Sequence, residues 1–117
     1  KRARKVENRT VFLLCCGGKY ALRKRPEKGL LAGLWEFPNE TGSLSMEDAL
    51  RRAELWGCSP IGPEKTVSAE HGFTHIEWKM TGQYLSCRSM PDRFVWASRN
   101  ELEERFSLPT AFRKLLK

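Results

Sequence analysis

The side chains best suited to chemistry gather in two short stretches. Residues 71–75, His-Gly-Phe-Thr-His, place two imidazoles, a hydroxyl and an aromatic ring side by side. An imidazole exchanges protons near neutral pH, and a hydroxyl both donates and accepts hydrogen bonds. Plainer roles stand beside these: Phe73 as a core ring, Thr74 as a hydroxyl capping a turn, His71 and His75 as structural histidines. The second stretch holds Arg23, Lys24, Arg25 and Lys28, which can contact phosphates or serve only as solvated surface. The cysteines at 15, 16, 58 and 87 form no Cys-x-x-Cys pair, so they read as reduced core thiols rather than a metal set.

The elements that must position these residues follow from periodicity. "TVFLLCC" from Thr10 is an apolar strand, Gly17-Gly18 a turn and "KYALRKR" a second strand, together a hairpin. "LWEF" is a short strand closed by Pro38, in a loop shaped by Gly29 and Gly33, with Trp35 and Phe37 facing the core. Met46, Ala49, Leu50, Ala53 and Trp56 recur at helical spacing between Ser45 as cap and Gly57 as stop, which predicts a helix over 46–56. "CSPIGPE" reads as a loop, "KTVSAEH" as a strand, and the alternation of Ile76, Trp78, Met80 and Tyr84 as a half-buried strand. The His-Gly-Phe-Thr-His stretch therefore lies between two strands. "FVWA" is a last strand, "NELEERF" a helix capped by Asn100 with Glu103 at the box position, and Pro109 opens a final helix. This order predicts an α+β fold, a mixed sheet with helices packed on its faces.

With 117 residues the chain suffices for one core. Its net charge of +7 is concentrated at the start, where Lys1, Arg2, Arg4, Lys5 and Arg9 are basic and nothing is strongly apolar. Residues 1–9 are read as a basic linker that could also contact phosphates, and 10–117 as the domain. No apolar run is long enough to span a bilayer and the start is charged, so a soluble, intracellular protein is expected, in the cytoplasm or nucleoid if bacterial.

The strands, the Gly-Leu-Trp-x-Phe-Pro turn and the following helix resemble the Nudix fold, whose hydrolases carry a box ending Arg-Glu-aliphatic-x-Glu-Glu-x-Gly. Carboxylates on one face of that helix hold Mg²⁺ against a diphosphate. With Gly57 on the box glycine, Leu50, Arg51, Arg52, Ala53, Glu54 and Leu55 fill the preceding positions, and only Glu54 matches a ligand. Glu54 is then expected to be a solvated residue pairing with nearby arginines, and the helix a scaffold.

"ALRKRPEKGLLAGLWEFP", "HGFTHIEW" and "SLPTAFRKLL", in that order over residues 10–117, resemble the C-terminal domain of MutY-type adenine DNA glycosylases. The resemblance implies a domain that recognises 8-oxoguanine opposite adenine in duplex DNA for base excision repair. A separate N-terminal domain bearing an iron–sulfur cluster would excise the adenine. It also implies that this fragment alone is not an enzyme and holds no cofactor or metal, and that residues 1–9 are an interdomain linker.

The family's Phe-Ser-His loop falls on Phe73, Thr74 and His75, with threonine in place of serine. These become the expected 8-oxoguanine contacts: Thr74 at the oxidised edge of the base, Phe73 as a wedge or packing ring, His75 on a phosphate or bracing the loop. Arg23, Lys24, Arg25 and Lys28 are the expected phosphate contacts. The alternative is a divergent Nudix hydrolase of oxidised nucleoside triphosphates, whose nearby acids would be Glu36, Glu40, Glu47 and Asp48.

Overall fold

The run Thr10–Leu14 is buried without a break, which requires a strand covered on both faces. In the computed structural model, which describes residues 3–117, that strand is β1 (Lys5–Cys16), central to the sheet. Lys1 and Arg2 of the expected linker lie outside the described residues. Around β1 the chain builds β2 (Lys19–Lys24), β3 (Trp35–Glu36), β4 (Asn39–Thr41), α1 (Met46–Leu55), β5 (Pro60–Gly72), β6 (Ile76–Cys87), β7 (Val95–Ser98), α2 (Arg99–Glu104) and α3 (Thr110–Arg113).

The strands run β3-β2-β1-β6-β5, with β4 paired to β1 and β7 to β2. β1 and β6 are parallel from Lys5↔Ile76 to Cys15↔Ser86, while the other pairings are antiparallel. The mixed α+β sheet is thus the one expected. Gly17 and Gly18, at φ 58° and 76°, turn β1 into β2 in the left-handed conformation that tight hairpins need.

Successive β1 residues face opposite sides and seed two cores. Val11 and Leu13 pack with Leu22, Phe37, Trp78, Phe112 and Leu115 beneath α3. Phe12 and Leu14 pack with Ala21, Ala49, Ala53 and Leu85 beneath α1. Each fully buried large side chain contributes about 1.5–3 kcal/mol. On β6, a Cβ at Gly82 would stand 2.9 Å from Val67, 3.0 Å from Leu13 and 3.2 Å from Leu115, so the bare glycine lets the C-terminal segment close on the sheet.

Three starts and one whole strand depart from the sequence reading. Ordered pairing starts at Lys5 rather than Thr10, because β6 offers backbone partners as far as Ile76. Arg9 lies over the Trp78 ring at 4.7 Å, so residues 5–9 belong to the folded sheet and the linker reading fails for them. β5 begins at Pro60, inside "CSPIGPE", which was read as a loop. Its prolines are tolerated because β5 is an edge strand with register shifts at Pro60/Gly62 and Pro63/Lys65. α2 is capped by Ser98 with Glu101 completing the box, two residues before the expected Asn100 and Glu103. β4 was not foreseen at all; three residues paired on a neighbour leave too short a pattern to read.

α1 begins as expected, with Ser45 accepting a hydrogen bond from the Asp48 amide. Among the described residues no helix is long and apolar enough to cross a membrane.

Candidate functional site

The hairpin of β5 and β6 ends with Gly72 opposite Glu77, and the Phe73 amide donates to the Ile76 carbonyl at 2.7 Å. Thr74 and His75 are left at the tip, both exposed. The turn is held from a second direction by the Lys5 amide, which donates to the His75 carbonyl at 3.1 Å. Phe73 is half-buried, between the two roles open to it in the sequence. Its ring meets Trp78 edge-on at 5.0 Å and His71 at 4.8 Å, a chain of contacts that fixes the turn to the core. The Thr74 hydroxyl and His75 imidazole make no hydrogen bond among the described residues, which leaves both free to meet a ligand.

This turn forms one wall of an open cleft of about 520 Å³. Leu30 and Arg4 line it together with Phe73, Thr74, His75 and Ile76. Leu30 belongs to the 25–34 loop, which is cross-braced by Arg25 N to Leu34 O at 2.8 Å and Gly33 N to Pro26 O at 2.9 Å. Two of the segments singled out in the sequence thus meet at one cleft.

His71 has a different fate from His75. Its Nδ1 is buried with no hydrogen-bond partner, and burial, helped by the nearby Lys114 charge, pulls its pKa below the ordinary imidazole value. A neutral ring against Phe73 suits a packing role.

The basic run divides. Arg23 donates to Glu36 at 2.8 Å and to the Asn39 carbonyl at 2.8 Å; Arg25 donates to Glu36 at 2.6 Å and to the Leu30 carbonyl at 2.9 Å. Asn39 adds a bond to Glu36 at 2.7 Å and receives one from Arg9. A carboxylate buried at that depth needs such partners, so Arg23 and Arg25 both spend hydrogen bonds inward on Glu36, with Arg23 still partly exposed. Lys24 and Lys28 remain exposed.

Sequence reasoning named Arg4 only as part of a basic linker able to contact phosphates and did not place it at this cleft, and it missed Leu30. The length of the Ile76–Tyr84 strand was the available signal for Arg4, since so long a central strand needs a partner reaching back beyond Thr10. Nothing in the sequence alone pointed to Leu30.

The family profile described as the NUDIX domain matches residues 10–117. The chain belongs to the Nudix family. An adenine DNA glycosylase from Arabidopsis thaliana is 35% identical over 84 residues, a match covering 59% of this chain and 13% of that protein. The chain thus corresponds to a small part of that relative's length. Solved structures give the fold. The C-terminal domain of mouse MUTYH, in complex with human PCNA, has a TM-score of 0.69 at 23% identity over 94% of this chain and 84% of that one. A Nudix hydrolase from Nitrosomonas europaea has a TM-score of 0.71 at 17% identity over 96% and 86%.

Membership of the Nudix family raises the question of Mg²⁺, and the residues of α1 do not fit it. Arg51 pairs with Asp48 at 3.0 Å, and Arg52 pairs with Glu40. Leu55 is exposed and has no ligand atom. Glu54 is exposed and, against expectation, forms no ion pair with an arginine among the described residues. Of the other acids considered for a metal, Glu36 is buried between two arginines, and Glu40 and Asp48 each have one. Among the described residues no three His, Cys, Asp or Glu side chains gather into a set able to hold a metal ion, the four cysteines included.

Proposed function

We propose that this Nudix domain is the lesion-recognition domain of an adenine DNA glycosylase, reading 8-oxoguanine opposite adenine in duplex DNA for base excision repair. The observation that carries the proposal is the exposed Thr74–His75 tip at the cleft, its hydroxyl and imidazole without intramolecular partners. The similarity to a plant adenine DNA glycosylase supports it. Adenine excision then falls to a separate N-terminal domain with an iron–sulfur cluster, and this chain alone does not turn over substrate.

The chemistry of recognition follows from the lesion. 8-Oxoguanine differs from guanine by an oxygen at C8 and a proton on N7, so the Hoogsteen edge gains a donor where guanine has only an acceptor. The Thr74 hydroxyl can accept from N7–H or donate to the C8 oxygen. Phe73, pinned by Trp78 and His71, supplies a fixed apolar surface beside the base. His75 at the tip donates to a phosphate, and Lys24 and Lys28 add backbone contacts. The hydrolase alternative shares the fold, but the pairing of Glu36, Glu40 and Asp48 with arginines weighs against it.

Excision tests the proposal. With the chain joined to its catalytic domain, adenine removal opposite 8-oxoguanine is expected to outpace removal opposite guanine, and Phe73→Ala and His75→Ala to shrink the ratio while circular dichroism stays native. An unchanged ratio in both variants would place recognition elsewhere. Magnesium-dependent hydrolysis of an oxidised nucleoside triphosphate by the chain alone would favour the alternative.

A further inference from the structure

Five described arginines lie in ion pairs on or beside the sheet; Arg4 has none, as is true of Arg88, Arg93, Arg99 and Arg113, but of these unpaired arginines it is the one that lines the cleft. Arg9 pairs with Glu7 at 2.8 Å, Arg23 and Arg25 with Glu36, Arg51 with Asp48 and Arg52 with Glu40. Arg4 is exposed, lines the cleft and makes no ion pair or side-chain hydrogen bond among the described residues. The backbone beside it is nonetheless tied to the turn. The next residue, Lys5, is tied to His75 through the backbone, and the guanidinium lies across Gly72, its Nη1 2.8 Å from where a Cβ on that glycine would stand. Gly72 has an ordinary backbone conformation, with no positive φ, so the turn itself does not require a glycine there. The missing side chain matters because it makes room for the guanidinium.

We propose that Arg4 is a DNA-phosphate contact laid over the recognition turn, and that Gly72 is bare so that the guanidinium can rest there. This rests on the lesion-recognition reading, since it supposes that the cleft receives duplex DNA. A guanidinium presents a planar fork matched to two phosphate oxygens. With no internal carboxylate to satisfy it, the fork is available to a strand entering the cleft. Arg4 and the Thr74–His75 tip then divide the labour: the arginine holds the backbone in register while the turn reads the base edge.

The test is equilibrium binding of the chain to labelled duplexes carrying 8-oxoguanine:adenine or guanine:adenine, followed by fluorescence anisotropy across a salt series. One phosphate contact contributes about 0.9 to the magnitude of the slope of log K against log salt. Arg4→Gln is expected to lower the slope by that amount on both duplexes and to weaken them equally. Arg4→Lys keeps the slope. Gly72→Ala retains the charge and displaces only the flexible end of a side chain, so it keeps the fold and weakens both duplexes by less than Arg4→Gln does.

A slope in Arg4→Gln equal to the native one overturns the proposal. So does a loss confined to the 8-oxoguanine duplex, which would assign the arginine to the base, and so does a native chain that binds neither duplex. A native chain that binds both duplexes equally would instead defeat the recognition reading, while the slope still decides the role of Arg4.

Discussion

The Glu36 network and the Phe73–His75 turn sit on the same sheet and use polar side chains in opposite ways. Around Glu36, Arg23, Arg25 and Asn39 satisfy a buried carboxylate, and both arginines spend donors inward. At the turn, the backbone is tied down by Phe73 to Ile76 and Lys5 to His75, while the hydroxyl and imidazole at the tip stay unpartnered. A tied backbone carrying free side chains suits the recognition role proposed for the turn, because the loop itself has little order left to lose on binding. Charge alone would not separate the two regions, since both lie in a chain of net charge +7.

The largest effect expected from breaking this contrast is on stability. Glu36→Ala leaves two arginines without their carboxylate in a largely buried site, a loss of about 3–5 kcal/mol. Urea unfolding would show it as a lower midpoint, and the folded fraction should keep any preference for the oxidised base. A variant as stable as the native chain would mean that the arginines are solvated and available to DNA after all.

A smaller effect is expected beside the turn. His71 has a lowered pKa because partial burial of its ring disfavours the charged form and the Lys114 charge adds to this, so the fold favours its neutral form. As pH falls below the ordinary value of 6.5, the unfolded chain takes up the proton before the folded one. Stability is therefore complete above that pH and declines as pH falls toward the lowered folded value. His71→Phe preserves a ring against Phe73 and should flatten this part of the profile of urea midpoint against pH. Parallel profiles for the variant and the native chain would remove His71 from the account.

The contrast also explains what the sequence could and could not tell. The sheet, α1 and the Phe73–His75 turn were legible because apolar periodicity and turn residues are local signals. The fates of Arg23 and Arg25 were not, since they depend on Glu36, more than ten residues away in sequence and adjacent only across β2 and β3. The place of Arg4 was hidden for a similar reason, although its charge was plain: residues 5–9 form a strand because β6 is there to pair with them, against their own polar character. Pro60 and Pro63 misdirected the reading of β5, because only its edge position makes prolines acceptable there. The carboxylates missing from α1 were plain from residue identity alone, as Arg51, Arg52 and Leu55 offer none in any conformation.

The most direct measurement compares binding to 8-oxoguanine:adenine and guanine:adenine duplexes at one fixed salt concentration for the native chain, Thr74→Ser and Thr74→Val. The valine keeps the shape of the side chain and removes its hydroxyl. The account predicts a preference for the oxidised base in the native chain, its retention with serine and its loss with valine. A valine variant with undiminished preference would contradict it, because the hydroxyl at the tip of the turn would then play no part in reading the lesion.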